Sequence, residues 1–356
     1  MIPPKKDYSL LGPNSDLARA NGLAGAEWYA TPVPRSLMKQ LMARRDGPAI
    51  RDTLIWALLL GTSGTLAYLA WGTWWAVPCF LVYGVLYGSC GDSRWHECGH
   101  GTAFRTPWMN TVVYHIASFM ILRNGTLWRW SHSRHHSDTI IVGRDPEITV
   151  ERPPNLAGAV LDLLYLRTGF GELVRMMRHV VGWMTASEKD FVPESERWKV
   201  FLEARIQFSI LAAVGIWSYN INSIMPLMFI GLPTFYGAWM DLVLFGYTQH
   251  AGLAEDVTDH RLNSRTVYFN PIFRFVYWNM NYHVEHHMFP MVPYHALPKL
   301  HAVIKHDCPP AYPSLLTAWR EILPALWRQV SDPGHYVRRP LPPATSASAV
   351  PTDYRV

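Results

Sequence analysis

The chain has 356 residues, 49% hydrophobic and only 17% charged, with 16 Trp, 17 Tyr and 14 Phe. That balance argues against an ordinary charge-rich soluble enzyme and for long apolar segments. The net charge of +5 does not imply nucleic acid, because no nucleic-acid motif is present and basic loops beside membrane segments are expected.

In chain order, residues 1–50 read as a polar cytoplasmic segment broken by Pro3, Pro4, Pro13, Pro32 and Pro34. It has no apolar core of a cleavable signal peptide. The basic run Arg35, Lys39, Arg44, Arg45 and Arg51 precedes TLIWALLLGTSGTLAYLAW, which ends at Trp71 and is about long enough for a spanning helix. AVPCFLVYGVLYGSC follows to Cys90 after an uncharged link. A second pair runs from Ile206 (IQFSILAAVGIWSY) to Tyr247 (SIMPLMFIGLPTFYGAWMDLVLFGY), again with an uncharged link. Two hairpins with neutral tips and charged flanks predict four spans, tips outside and the rest cytoplasmic.

The apolar stretches 108–122 and 271–284 are read as cytoplasmic or interfacial helices. A crossing by either would put the histidine clusters on opposite sides of the membrane. Asn270 and Pro271 mark the start of the second helix and Pro290 its end. Residues 156–183, with Arg167, Arg175 and Arg178 among apolar residues, predict an amphipathic helix on the membrane surface. The run RRPLPPATSASAVPTDYRV predicts a disordered tail. The organisation expected is an N-terminal segment over 1–50, a membrane and cap domain over 51–310, and a C-terminal segment over 311–356. The class expected is an all-α membrane protein.

Nine of the 16 histidines fall at helical spacing near the cytoplasmic ends of these segments. His96 and His100 are one turn apart. His132, His135 and His136 stand at i, i+3 and i+4, and His283, His286 and His287 repeat that spacing. His250 follows the fourth apolar segment. Crowded imidazoles would repel on protonation and leave nitrogens unpaired on burial, and metal coordination removes both problems. One tetrahedral zinc uses four ligands at most; two ions with four or five imidazoles each use all nine. Imidazole suits Zn, Cu, Fe and Ni alike, and a redox pair with positions open to O2 is the most economical use. Cys79, Cys90, Cys98 and Cys308 form no CxxC, which excludes a zinc ribbon, a Rieske-type pair and a disulfide framework.

The order HxxxH, HxxHH and a later HxxHH, interleaved with two hydrophobic hairpins, resembles the membrane fatty acid desaturase superfamily. The resemblance implies that His96, His100, His132, His135, His136, His283, His286 and His287, with His250 as the extra ligand, hold two iron ions (Fe2+/Fe3+) under a cytoplasmic helical cap. Some members carry an asparagine one turn before that extra histidine. Gly246 stands there in this chain, which implies an open or water-filled position. The activity implied is O2-dependent oxidation of an unactivated C–H bond: desaturation or hydroxylation of an acyl chain. The branch resembling the rhizopine-catabolism oxygenase would instead hydroxylate or demethylate a small methylated metabolite. A non-enzymatic, histidine-rich metal-binding membrane protein is the competing class. The chain has no HPGG segment, no iron–sulfur cysteine set and no GxGxxG, implying a separate ferredoxin or similar carrier with its reductase. The location implied is the inner or plasma membrane of a bacterium.

Other residues carry two readings. Glu97 and Glu285 inside the boxes, Asp138 after the second, and Asp145 and Glu147 in GRDPE would orient imidazoles or form plain ion pairs and turns. Asp241 lies in the fourth span, where a carboxylate costs about 2.5–3.5 kcal/mol at the membrane centre. It is expected in the cytoplasmic half, against a histidine or the cavity. Trp95, Trp128 and Trp130 would wall the cavity or sit at the interface. Arg123, Arg129, Arg134, Arg144 and Lys299 would face an acidic donor or lipid headgroups. His115, His179, His260, His295, His301, His306 and His335 are read as ordinary polar residues.

Overall fold

The computed structural model describes residues 5–343, and among them regular structure is helical, with two isolated bridges at Thr266–Tyr282 and Val267–Tyr312. The first two apolar segments form the hairpin Asp46–Leu69 and Ala76–Gly88. Its connection turns at Gly72, whose φ of 83° favours glycine. Among the described residues, one helix, Glu194–Asn220, is long and apolar enough to cross a membrane.

The fourth apolar segment is not one helix. Pro226 and Pro233 each open a short helix, Met225–Phe229 and Pro233–Gly237, with Gly231 at φ 96° between them. Proline lacks the amide that would continue the preceding helix, so the chain restarts at each one.

The two inner segments share a further device. Ala76–Gly88 runs through a π-helical turn, Gly91–Trp95, into the histidine helix His96–His100. Pro233–Gly237 runs through a π-helical stretch, Trp239–Phe245, into Gly246–His250. A π turn holds an extra residue and re-aims every side chain after it. Both apolar segments thereby deliver histidines toward the same interior.

These segments also cross each other at very close range. A β-carbon on Gly237 would collide with the Gly84 carbonyl, and one on Gly88 would lie 2.9 Å from the Ala238 backbone. Small residues permit this backbone approach between helices in an apolar medium.

The helix Arg197–Asn220 fixes the second box from outside. Its Glu203 accepts from the amides of Gly125 at 2.9 Å and Thr126 at 2.8 Å, the first residues of the helix Gly125–Ser137. A carboxylate there meets otherwise unpaired amides and the positive end of the helix dipole. Asn124 completes the cap, accepting from Leu127 N at 3.0 Å and donating to Val200 O at 2.8 Å.

Other expectations hold with breaks. The 108–122 stretch is the helix Pro107–Met120. The stretch beginning at Asn270 is capped there, but it divides into Pro271–Val276 and His283–Met288 because Trp278 and Asn279 take φ of 46° and 56°. The 156–183 helix divides at Tyr165, φ 52°; Asp162 accepts from Thr168 N at 2.8 Å and Arg167 Nε at 2.7 Å, restarting the chain as Leu166–Val180. The polar N-terminal segment contains the helices Pro13–Ala20 and Arg35–Leu41. Residues 344–356 of the expected tail lie outside the described residues.

Gly237→Ala is expected to destabilise the protein by about 1–3 kcal/mol through overpacking, read as a lower thermal unfolding midpoint in detergent. Gly61→Ala, with open space around it, is expected to be neutral or to stabilise by up to about 1 kcal/mol. Equal midpoints for the two variants would contradict the close crossing.

Candidate metal centre

Five imidazoles from three helices converge first. His132 Nε2 stands 3.1 Å from each of His96 Nε2, His100 Nε2 and His136 Nε2. His286 Nε2 closes the set, 2.7 Å from His96 Nε2 and 3.2 Å from His136 Nε2. A nitrogen from each of the five lies within 4.8 Å of the others.

Beside it lies a second set. His135, His250 and His287 bring nitrogens within 4.8 Å of one another. His283 Nε2 joins from one side, 3.0 Å from both His250 Nε2 and His287 Nε2. The rings of His136 and His287 stack at 4.4 Å across the boundary between the sets. All nine histidines singled out in the sequence are therefore brought together, five on one side and four on the other.

The donor set fits a pair of metal ions. Ring nitrogens 3 Å apart cannot all be satisfied by sharing the single proton of each neutral imidazole. Metal–imidazole bonds of about 2.0–2.1 Å put neighbouring ligand nitrogens roughly 3 Å apart, which matches the spacing here. Burial, reinforced by the neighbouring rings, holds His96, His100, His136, His283, His286 and His287 well below the usual imidazole pKa. The same burial, with His135 alongside, lowers His250. Neutral imidazole is the ligating form.

The outward ring nitrogens are oriented by several partners. His132 Nδ1 pairs with Glu147 Oε2 at 2.9 Å, and His135 Nδ1 with Asp145 Oδ2 at 2.8 Å. His250 Nδ1 donates to the Asn263 carbonyl at 2.7 Å, and Thr139 Oγ1 lies 3.3 Å from His287 Nδ1. Burial pulls the His135 pKa down, but Asp145 holds it above the ordinary value. Such partners fix the tautomer and the ring plane of a ligating histidine.

The remaining carboxylates are spread more widely. Glu97 Oε1 is 3.9 Å from His286 Nδ1, while its Oε2 accepts from Tyr294 N at 3.0 Å. Glu285 points away from the imidazoles of its own box and pairs with His301 and Thr266. Asp138 pairs with Arg144 at 3.1 Å and Arg134 at 3.4 Å. Asp241 accepts from Asp92 N at 2.8 Å, and among the described residues it forms no hydrogen bond or ion pair with a histidine. Asp92, which sequence reasoning passed over, stands 4.0 Å from His96 Nδ1, and its four-residue spacing from His96 was the available signal. The gap at Gly246 is flanked by that carboxylate: a β-carbon there would lie 3.6 Å from Asp92 Oδ2. Gln249 donates to the same oxygen at 3.1 Å.

A cavity of about 690 Å³ opens onto the five-imidazole set, with Trp95, Tyr114, Trp130, Pro290 and Met291 among its walls. Arg129 and Ser133 also line it. Trp128 instead lies under Arg123, whose guanidinium is 4.2 Å from its ring. Of the five basic residues near the boxes, Arg129 and Lys299 are exposed, whereas Arg134 and Arg144 are committed to ion pairs.

The family model for fatty acid desaturase matches residues 72–319. The chain is 23% identical over 269 residues to an sn-2 acyl-lipid omega-3 desaturase (ferredoxin), chloroplastic, from Arabidopsis thaliana, covering 70% of this chain and 58% of that protein. It thus spans less than two thirds of that relative. It is 23% identical over 269 residues to an sn-1 acyl-lipid omega-3 desaturase (ferredoxin) from Nostoc sp. (strain 36), covering 72% of this chain and 73% of the relative. An acyl-lipid omega-3 desaturase (cytochrome b5), endoplasmic reticulum, from Arabidopsis thaliana is 23% identical over 295 residues, 77% of this chain and 74% of its own. With a match over residues 72–319 that contains all nine converging histidines, the chain belongs to the fatty acid desaturase family.

Proposed function

We propose that the protein is an integral-membrane di-iron oxidoreductase that uses O2 and external electrons to oxidise an unactivated C–H bond of an acyl chain, most simply by desaturation. The convergence of nine imidazoles into a set of five and a set of four carries this reading. Two iron ions held there would supply the O2-dependent oxidation. The protein's own share is to bind, orient and exclude water. Asp145, Glu147 and the Asn263 carbonyl hold imidazole planes, and the aromatic walls of the cavity align an apolar chain beside His96 and His132. The family match and the acyl-lipid desaturases among the relatives support an acyl substrate over a small methylated metabolite.

Four spans, with a helical cap on the cytoplasmic side, are part of this proposal. Apolar side chains face outward along the hairpins: Leu58 is 69% exposed and Leu69 71%. At the tips, Trp74 is 91% exposed and Tyr219 86%, suited to a membrane interface. The histidines sit at the opposite ends of these segments, which supports the reading of a centre on the cytoplasmic face, the membrane being the inner membrane of a bacterium in this proposal. Residues 51–310 form the membrane and cap unit in this reading, flanked by the two terminal segments. The electrons come from a ferredoxin or similar carrier with its reductase, in keeping with the donors named for two relatives.

Purified full-length protein is expected to contain about two irons per chain, and His100→Ala and His250→Ala about one each. Elemental analysis checks this, and variable zinc in their place would sink the di-iron reading. With reduced ferredoxin and O2, mass spectrometry should find acyl products lighter by two hydrogens. Formaldehyde from methylated substrates with no new double bond would overturn the acyl assignment. Asp145→Asn is expected to weaken metal affinity of the four-imidazole set about 10–100-fold, while Asp138→Asn leaves it unchanged, as measured by chelator competition.

A further inference from the structure

The segment between the first two short helices crosses the four-imidazole set as a strap. Trp28 Nε1 donates to Ser137 O at 2.9 Å, and Tyr29 N donates to Thr258 O at 3.0 Å. Tyr29 OH and Thr31 Oγ1 both donate to Asp307 Oδ2, at 2.6 and 2.7 Å. Thr31 N reaches Met288 Sδ at 3.2 Å, directly after the third histidine box. These bonds fix Trp28 against the protein while leaving its ring half-exposed.

The Trp28 ring lies flat on His260, with centroids 4.2 Å apart and planes 7° from parallel. His260 is buried, and its ring centroid is 5.1 Å from that of His287. His287 belongs to the four-imidazole set, its Nε2 3.0 Å from His283 Nε2. An unbroken row of π-systems therefore joins the surface to the centre. Sequence spacing alone marks His260 as an ordinary polar residue, and its place in this row corrects that expectation. Its side chain also bonds to Asn263, while its Nδ1 is buried without a hydrogen-bond partner among the described residues and its ring packs between those of Trp28 and His287.

We propose that Trp28 and His260 form the entry route for electrons, with a reduced one-electron iron–sulfur carrier docking over the strap. The inference rests on the di-iron reading above. Each transfer would oxidise the carrier cluster by one electron and reduce by one the iron ions that the histidines would hold; no bond forms or breaks. Two such electrons and two protons, with two hydrogens from the substrate, would balance the conversion of O2 to two waters. The row of rings leaves the cavity beside the five-imidazole set free for substrate. It also does not need the basic residues of the second box, because Arg134 and Arg144 are already paired with Asp190 and Asp138.

The test uses the iron-loaded full chain in detergent, plant-type ferredoxin reduced beforehand, and no substrate. Stopped-flow absorbance follows ferredoxin reoxidation, dithionite serves as a small reductant, and iron per chain is measured alongside. Trp28→Leu is expected to slow reoxidation by ferredoxin about tenfold or more, with dithionite reduction and iron content unchanged. Trp28→Phe keeps an aromatic ring on His260 but loses the bond to Ser137, and is expected to stay near the wild-type rate. Oxidative footprinting with oxidised ferredoxin should protect Trp28. An unchanged ferredoxin rate in Trp28→Leu, an equal loss in Trp28→Phe, or no protection of Trp28 would overturn the route. A wild-type protein that takes up neither iron nor electrons from dithionite would instead overturn the di-iron reading beneath it.

Discussion

The structure depends on one constraint: nine imidazoles share a small interior in which most of them must stay neutral and few can pair with one another. Burial disfavours protonation, and each neutral ring has one acceptor nitrogen that needs a Lewis acid or a donor. Direct neighbours cannot meet that demand at 3 Å spacing. Metal ions can, and the two-set geometry follows from satisfying every inward nitrogen at once.

Much of the surrounding fold serves to aim those nitrogens. The π-helical turns at Gly91–Trp95 and Trp239–Phe245 re-register two apolar segments just before His96 and His250. Glu203 caps the helix that carries His132, His135 and His136. Asp145 and Glu147, two residues apart in one loop, reach neighbouring rings of that same helix. Bonds of this kind act on ring orientation more than on net stability, since a buried charge contributes little unless fully paired. The Gly84–Gly237 contact has a mechanical role: it draws together the two segments that lead into the first box and into His250.

The sequence made the histidines legible because spacing on a helix is a one-dimensional property. One box at i and i+4 and two at i, i+3 and i+4 announce a shared face wherever the chain goes. Asp145 and Glu147 were legible as candidates by proximity to the second box. What could not be read was direction across the fold. Glu285 sits between two box histidines in sequence, yet turns to His301 on the opposite side of its helix. Asp138 follows a box and is captured by two arginines. The Asn263 carbonyl that holds His250 is a backbone group and leaves no residue signature. Helix boundaries failed where one or two residues took a left-handed φ, as at Tyr165 and at Trp278 and Asn279, which residue type does not foretell. The stack of Trp28 on His260 joins positions 232 residues apart, which no local pattern reports.

An experimental density map of the iron-loaded full chain tests the central claim most directly. Two metal peaks are expected, one bounded by His96, His100, His132, His136 and His286 and the other by His135, His250, His283 and His287. A single peak, or peaks held by other side chains, would contradict the account.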